Sequence, residues 1–253
     1  KHVLTAHEQG AAHAADGYAR ATGKTGVVIA TSGPGATNLV TGIATAYLDS
    51  VPMVAITGNV PSSQIGTDSF QEIDITGITL PITKHNYFVG KIEDLADTIR
   101  EAFKLASSGR PGPVLIDVPK DIQIAKYEYV PNEPVTLDTK KSAKDIRIDE
   151  AAECISKAER PFIYVGGGII ASEAQAETLE LAEIIDAPLG CSLMGLSAIP
   201  TDHPRFLGMQ GMHGHYASSM AMHNSDCIIA LGARFNDRVT GNRSKFAVGA
   251  KIV

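Results

Sequence analysis

The sequence lacks tryptophan altogether, and its aromatic content is only 6%. Its three cysteines (Cys154, Cys191 and Cys227) are scattered without a Cys-x-x-Cys pair, so neither a disulfide framework nor a zinc site is indicated. No stretch approaches about 18 consecutive apolar residues, and the first residues do not resemble a signal or transit peptide. Basic runs are missing too, and the net charge is −6. These absences predict a cytoplasmic protein with neither nucleic acid nor a membrane as partner.

Apolar residues make up 44% of the 253 residues and charged residues 20%, which predicts one large or two modest globular domains. Short β-branched runs recur along the chain, and each is continuously apolar instead of alternating in polarity. Such runs are typical of strands that are buried on both faces of a parallel sheet. The sequence therefore predicts strands over residues 27–30, 54–57, 114–117, 162–165 and 227–231.

Amphipathic segments between these runs predict helices. Over residues 92–108 the apolar side chains fall on one helical stripe, and Gly109 can end the helix. A second helix is predicted over residues 173–185, with Ser172 and Gln175 as its capping box. The alternation of strands and helices predicts an α/β fold of two domains, each with a mainly parallel sheet flanked by helices.

The domain boundary is indicated by a loss of periodicity between residues 125 and 147, where Pro131, Pro134 and a charged stretch predict a linker. A loop of this length is uncommon inside one compact domain. Residues 1–8 are expected to lead from a strand into a helix, and residues 251–253 to be a strand that is cut short, so a fragment of a longer protein is predicted. The predicted parts are a first domain over residues 1–127, a linker over 128–147 and a second domain over 148–253.

Glu8 is the first candidate for chemistry. The neighbouring His7 suggests a zinc-protease motif, but that motif requires histidine where Ala11 stands. What remains is a carboxylate where a predicted strand gives way to a helix rich in alanine, whose small side chains let another backbone approach closely. The residues alone leave two interpretations open: a functional carboxylate, or a solvated acid favoured by the helix dipole.

Two glycine-rich turns are the next candidates. Residues 31–38 follow a predicted strand and open a helix, where an anion can bind, although a simple tight turn explains them equally well. They match neither nucleotide-binding glycine motif. Gly166, Gly167 and Gly168 follow another strand and would let a cofactor backbone approach the sheet. No acidic residue follows about 20 positions later, which argues against NAD.

Several segments together carry a family resemblance. The pattern H-E-x-x-A-x-x-x-A-x-G-Y-A-R begins at His7, S-G-P-G-A-T-N at Ser32, G-T-D-S-F-Q-E at Gly66 and I-T-K-H-N at Ile82. In this order they resemble the pyrimidine-binding domain of thiamine-diphosphate enzymes. The run G-A-R-F-N-D-R-V-T-G from Gly232 is more specific, and it resembles the acetolactate (acetohydroxyacid) synthase large-subunit family. The resemblance extends over essentially the whole chain.

The resemblance implies a carboligase. Family members decarboxylate pyruvate on thiamine diphosphate and ligate the hydroxyethyl unit to pyruvate or 2-oxobutyrate, in the synthesis of valine, leucine and isoleucine. The residue matching Glu8 bonds N1′ of the aminopyrimidine, where a carboxylate can exchange a proton and a carboxamide cannot. Gln71 would line the same pocket. The substrate channel would be bordered by Pro61, Phe70, Lys84 and Lys120, although Lys120 is equally well explained as a solvated loop charge.

The resemblance also implies FAD as a second cofactor. Arg234 and Arg238 would pair with its pyrophosphate, as guanidinium groups do bidentately; surface salt bridges are the alternative. The family more often carries aspartate at position 236, where Asn236 stands here. The implied FAD contacts are Arg110, Gly166, Gly167, Gly168, Ser192, Leu193, Met194, Gly211, Met212, His213, Gly214, Gly232, Ala233, Arg234, Asn236, Arg238 and Val239.

One part of the family's machinery is missing from this sequence. The Gly-Asp-Gly motif through which the family binds Mg2+ and the diphosphate does not occur. The resemblance therefore implies Mg2+ ligands outside this chain, a composite active site in a homodimer or tetramer, a possible small regulatory subunit, and an inactive isolated segment. Two other functions stay open: an FAD-dependent oxidase or decarboxylase of 2-oxo acids, and a non-catalytic flavin-binding module.

Overall fold

The structure is a computed structural model, and it describes residues 2–131 and 147–253. The chain divides into two compact units, Lys1–Lys141 and Ser142–Val253. Most of the predicted linker lies outside the described residues, so its boundaries stay a prediction. No helix in the two described stretches is both long and apolar enough to cross a membrane.

The first unit is a parallel sheet between helices. Its four strands lie in the order β1-β2-β4-β3, and every pairing is parallel. The strands are β1 (Gly26–Ala30), β2 (Met53–Asn59), β3 (His85–Phe88) and β4 (Pro113–Pro119). The helices are α1 (Glu8–Thr22), α2 (Pro34–Asn38), α3 (Val40–Asp49), α4 (Ile75–Thr79), α5 (Ile92–Ser107) and α6 (Lys120–Ile124). Short 3-10 helices cover Ser62–Gln64 and Leu80–Ile82.

Both faces of this sheet are covered at the central strands β2 and β4, as the continuous apolar runs predicted. Residues of α1 and α3 pack on one face, and the apolar stripe of α5 packs on the other. Every residue of the central strand β4 is buried. The predicted helix over 92–108 is confirmed as α5, and Gly109 follows it with a φ of 57°, a conformation that glycine adopts without strain.

Two expectations for the first unit are wrong. Residues 2–7 form no strand before α1. Strand β1, predicted to be buried on both faces, alternates instead: Val27 and Ile29 are exposed while Val28 is buried. The reason is positional, because β1 is an edge strand and α5 packs over β2, β3 and β4 but does not extend over it.

The second unit has a five-stranded parallel sheet in the order β7-β6-β5-β8-β9. The strands are β5 (Pro161–Val165), β6 (Leu189–Cys191), β7 (Phe206–Met209), β8 (Cys227–Leu231) and β9 (Lys251–Ile252). The helices are α7 (Ile148–Ser156), α8 (Gly167–Ala171), α9 (Gln175–Ile184), α10 (Tyr216–His223) and α11 (Asp237–Thr240), and a 3-10 helix covers Leu193–Gly195. With the first unit, this sheet confirms the predicted α/β fold class.

The predicted capping box in the second unit is wrong. Ser172 ends α8, and its hydroxyl donates to the carbonyl of Gly168 at 2.8 Å. Helix α9 begins later, at Gln175, after a residue in a left-handed conformation, Glu173. The residue at the N-cap of α9 is Ala174, with no side-chain cap bond, so Ser172 lies too early to cap this helix. The sequence pattern did not predict the short helix α8.

Asp117 is an acidic residue within the buried strand β4, and its carboxylate is buried in the core of the first unit. Thr57 Oγ1 donates to its Oδ1 at 2.7 Å, and Asn59 Nδ2 donates to its Oδ2 at 2.6 Å. Burial raises the pKa of the Asp117 carboxyl above its ordinary value; the two hydrogen bonds act in the opposite direction. The sheet therefore carries a carboxyl group that binds its proton more tightly when folded.

We expect Asp117→Asn to change how stability depends on pH. A raised folded-state pKa contributes stability below the ordinary value of 3.8, and this contribution is lost as pH rises through the folded value. The unfolding free energy of the wild type minus that of the variant should therefore increase as pH falls from about 7 to about 4. Urea denaturation at several pH values measures this difference. A difference that does not change with pH would contradict the prediction.

Candidate active site and cofactor surface

Glu8 lies at the start of α1, where its carboxylate meets the turn that follows β1. Asn38 Nδ2 donates to Glu8 Oε2 at 3.0 Å. Gly35 faces the other carboxylate oxygen, and a Cβ atom at Gly35 would lie 3.5 Å from Glu8 Oε1. The bond from Asn38 holds the pKa of Glu8 below its ordinary value, assisted by the backbone N–H of Glu8 and opposed by partial desolvation. Glu8 is therefore a fixed, ionised carboxylate at neutral pH.

The same turn brings Gln71 toward this carboxylate. Gly33 has φ 60° and ψ −120°, and a Cβ atom there would lie 2.8 Å from Gln71 Cβ and 2.9 Å from Gln71 Cα. Only glycine allows the two segments to approach so closely. Gln71 is half-buried and itself has a φ of 63°. The two predicted catalytic residues, Glu8 and Gln71, thus both contact the turn at residues 33–35.

The predicted channel residues separate into two groups. Pro61 and Phe70 belong to the loop that carries Gln71, and the Phe70 ring is 88% exposed. Lys120 is exposed at the start of α6, just after the carboxyl end of β4. Lys84 lies at the opposite edge of the sheet, where its ammonium donates to the carbonyls of Leu105 and Ser108 at the end of α5.

Arg110 lies near the same edge as Lys84. Its Nε donates to Ser50 Oγ at 2.7 Å, and its side chain is otherwise exposed. Since β4 starts at Pro113, both Lys84 and Arg110 are near the amino ends of the strands, whereas Glu8 is near the carboxyl ends. Within the first unit, the structure therefore does not bring these two residues to the Glu8 turn. Their predicted contacts with substrate and FAD stay predictions.

In the second unit the predicted FAD segments follow four strand ends. Gly166, Ser192, Gln210 and Gly232 come directly after β5, β6, β7 and β8. Because parallel strands direct their carboxyl ends to one edge, these segments meet in a single cluster, at the edge where α/β sheets bind their ligands. Three backbone bonds join the segments: Ser192 N–H to Val165 O at 2.8 Å, Gly168 N–H to Gly232 O at 3.0 Å and Met212 N–H to Arg238 O at 2.8 Å.

The glycines of this cluster serve the protein's own packing. A Cβ atom at Gly166 would lie 2.1 Å from the Gly232 carbonyl oxygen, and one at Gly211 would lie 2.4 Å from the Arg238 carbonyl oxygen. The sequence predicted that the three glycines after β5 leave room for a cofactor, but the backbone of the Gly232 segment takes most of that room. Gly167 is different, because it faces Met194 at 3.1–3.2 Å.

Side chains suited to a dinucleotide surround the cluster. The side chains of Leu193 and Met212 are 68% and 63% exposed, and the guanidinium groups of Arg234 and Arg238 are also exposed. Such a combination offers apolar surface to rings and cations to phosphates. His213 is exposed beside them, while Gly214, Ala233 and Val239 are partly covered. Asn236 caps α11 by accepting from Val239 N at 3.1 Å, a role that needs an acceptor oxygen and no charge.

One buried polar atom lies beneath this surface. The hydroxyl of Tyr164, on β5, has no hydrogen-bond partner among the described residues, although the residue is fully buried. Burial raises its pKa to about 12. Phe235 of the exposed segment packs on the Tyr164 ring, with centroids 5.5 Å apart. The hydroxyl therefore remains a protonated donor directly under the segment that carries Arg234.

Four residues hold the structure around the site but were given no individual role in the sequence analysis: Asn38, Gly33, Asp117 and Glu72. Asn38 belongs to the glycine turn recognised in the sequence, but nothing in the pattern pairs it with Glu8, 30 positions earlier. An amide directly after a glycine turn on a strand end was the available signal. No group of three or more histidine, cysteine or acidic residues suited to a metal ion occurs in the described parts of the chain.

Comparison with known families matches both units. Residues 1–78 match "Thiamine pyrophosphate enzyme, N-terminal TPP binding domain", and residues 148–253 match "Thiamine pyrophosphate enzyme, central domain". Together the two matched ranges take up most of the chain. The first contains Glu8 and its glycine turn, and the second contains every predicted FAD segment of the second unit.

Curated relatives have the same amino acid at about half of the positions of this chain. The chain is 54% identical to an acetolactate synthase of Arthrospira platensis, 52% to a probable acetolactate synthase large subunit of Methanocaldococcus jannaschii and 50% to the acetolactate synthase isozyme 2 large subunit of Escherichia coli K12. Each alignment covers 100% of this chain but only 45%, 44% and 46% of the respective relative. The chain thus spans less than half the length of these relatives.

We expect Gly33→Ala to destabilise the first unit by about 2 kcal/mol or more, because the backbone conformation excludes a side chain and the added Cβ would overlap Gln71. Gly23→Ala is the matched control, since Gly23 also has a positive φ of 69° but nothing within 4 Å of an added Cβ. Chemical denaturation of both variants measures the difference. Equal losses of unfolding free energy in the two variants would show that the contact with Gln71 does not contribute to stability.

Proposed function

The chain belongs to the thiamine pyrophosphate enzymes, and from this premise we propose that it is the part of an acetolactate synthase large subunit that supplies the catalytic glutamate and the flavin surface. The proposed reaction decarboxylates pyruvate and ligates the two-carbon unit to pyruvate or 2-oxobutyrate, toward the branched-chain amino acids. Identities of 50–54% to acetolactate synthases support it. The observation that carries it is the ionised Glu8 carboxylate, which Asn38 holds against the glycine turn that also contacts Gln71.

In the proposed reaction Glu8 is the proton-exchanging group. When bound, thiamine diphosphate supplies the electron sink that decarboxylation of a 2-oxo acid requires. In this proposal Glu8 accepts and returns a proton at N1′ of the pyrimidine. Asn38 donates to one of its carboxylate oxygens and so fixes the direction of the other, which faces Gly35. A Cβ atom at Gly35 would lie 2.7 Å from Thr31 Cγ2, so glycine lets this turn pack closely beside the carboxylate.

A second subunit would complete the site. We propose that Mg2+ and the diphosphate are held by residues outside this chain, in a partner subunit of a homodimer or tetramer. Helix α1 supports this, because its exposed positions Gly10 and Gly17 have no atom within 4 Å of an added Cβ. A bare helix surface of this kind lets another backbone approach closely. The site formed by Glu8 would then be one half of a composite site.

FAD is proposed for the carboxyl edge of the second sheet. Arg234 and Arg238 would hold its pyrophosphate, and Leu193 and Met212 would cover its rings. The support is the exposure of these four side chains around one cluster of strand ends. In acetolactate synthesis the flavin would be structural, since the reaction has no net redox change.

Glu8→Gln tests the proposed role of the carboxylate. In the full-length enzyme that contains this segment, we expect acetolactate formation from pyruvate to fall by about 10²–10⁴-fold, because a carboxamide cannot exchange the proton. The exposed residue Glu93 in the first turn of α5 gives the control Glu93→Gln. Unchanged activity of Glu8→Gln would exclude the proposed mechanism and favour a non-catalytic flavin-binding role. Peroxide or reduced flavin in place of acetolactate would identify an oxidase.

The 253-residue chain by itself provides a second arm of the same assay. With thiamine diphosphate, Mg2+ and FAD added, we expect it to form no acetolactate, because half of the composite site is missing. Turnover comparable to that of the full-length enzyme would contradict the composite site.

Arg238→Gln tests the flavin surface. We expect the affinity of the full-length enzyme for FAD to fall about tenfold or more, since charge-assisted hydrogen bonds to the pyrophosphate are lost. Arg243→Gln is the matched control, an exposed arginine in the segment that follows α11. Quenching of flavin fluorescence during titration of the apoenzyme measures both. Equal affinities of the two variants would place the pyrophosphate elsewhere.

A further inference from the structure

The loop that carries Gln71 is closed on itself by one carboxylate. Glu72 Oε2 accepts from the backbone N–H of Ser69 at 3.0 Å, and Oε1 accepts from the backbone N–H of Gly66. The N–H of Glu72 in turn donates to the carbonyl of Ser69 at 3.0 Å. These bonds join residues 66–72 into a ring around the Glu72 side chain. The bonds from Gly66 and Ser69 also hold the pKa of Glu72 below its ordinary value.

Other residues fix the two ends of this loop, which isolates the role of Glu72. At the entrance, Asp121 accepts from the N–H and the hydroxyl of Ser62, at 2.9 and 3.1 Å. At the exit, Asp74 caps α4 by accepting from Gly77 N–H at 2.9 Å. Neither contact reaches residues 66–72. The hydroxyls of Thr67 and Ser69 tie this middle part to the Gln64 carbonyl, at 2.7 and 3.1 Å, and Glu72 binds the backbone N–H groups of Gly66 and Ser69.

Gln71 needs such support because its backbone is in a conformation that side chains disfavour. Its φ is 63°, and Asp68 in the same ring has a φ of 56°. Positive φ values at residues other than glycine cost about 1–3 kcal/mol and persist when surrounding bonds over-determine them. In this loop the bonds of Glu72, directly after Gln71, supply that constraint together with the hydroxyl bonds of Thr67 and Ser69. The result is the close contact of Gln71 with Gly33, on the turn that also carries Gly35.

We propose that Glu72 is a positioning residue, which folds the 66–72 ring so that Gln71 stays against Gly33, on the turn that also contacts the Glu8 carboxylate. Its catalytic consequence rests on the proposed function, whereas its structural consequence does not. Glu72 touches neither substrate nor cofactor in this proposal and acts through Gln71. The sequence motif F-Q-E then contains one residue that lines the pocket and one that holds it in place.

The structural consequence is tested by NMR on the 253-residue chain. In Glu72→Gln, we expect the amides of Gly66 and Ser69 to exchange with solvent about tenfold faster or more, because an amide offers one acceptor oxygen where the carboxylate offers two. In the wild type, the Gln71 amide signal should stay constant as pH falls past the ordinary glutamate value of 4.5, and shift only below it. Glu72→Gln should abolish this titration.

Glu93→Gln is the control for both measurements, and it should leave exchange and titration unchanged. Exchange in Glu72→Gln equal to that of the control would overturn the proposal. A Gln71 signal that titrates identically in Glu72→Gln would overturn it too, because the titrating group would then be another residue.

The catalytic consequence is tested in the full-length enzyme. We expect Glu72→Gln to lower kcat about tenfold while the KM for thiamine diphosphate stays within about twofold, since Glu8 is untouched. An active wild type with Glu72→Gln equal to Glu93→Gln would overturn the positioning role. An inactive wild type whose 253-residue chain still gives the expected NMR result would overturn the proposed function and leave the structural role of Glu72 in place.

Discussion

Parallel strands run in one direction, and this constraint determines where both candidate sites lie. In the first unit, the turn after β1 meets the start of α1, which places Glu8 over a strand end although it precedes the strand in the chain. In the second unit, four strands end in the segments predicted to contact FAD. Neither site requires residues that are close in sequence. The sheet brings the residues of each site together, and helices pack on its faces.

Glycine residues then determine how closely the segments at the strand ends can approach each other. At Gly33 the neighbour is Gln71, and at Gly166 and Gly168 it is the backbone around Gly232. In each case the space that a side chain would fill is taken by another part of the same unit. These glycines are therefore structural supports beneath the sites, and the ligand surfaces are formed by the side chains around them.

Continuous apolar runs predicted β4 and β8 well, and a single apolar stripe predicted α5, because burial leaves a local signal in the sequence. The outcome differed where the pattern does not show how the fold uses a residue. Ser172 closes α8 instead of capping α9, and Val27 is exposed because no described helix covers it. The candidate site, too, was predicted where the signal is local in the sequence and not where it depends on the fold. The motifs around Glu8 and Gln71 were recognisable, but the bond from Asn38 and the loop closure by Glu72 depend on folded geometry.

The uncovered side of β1 has a practical meaning for work with this segment. Val27 and Ile29 are exposed on a strand whose outer edge pairs with no other described strand. Bare edge strands with aliphatic side chains are templates for strand addition, which natural proteins avoid with charges, prolines or a cover. At high concentration this strand is therefore a site where copies of the chain can associate edge to edge, and lysine at position 29 would oppose that association.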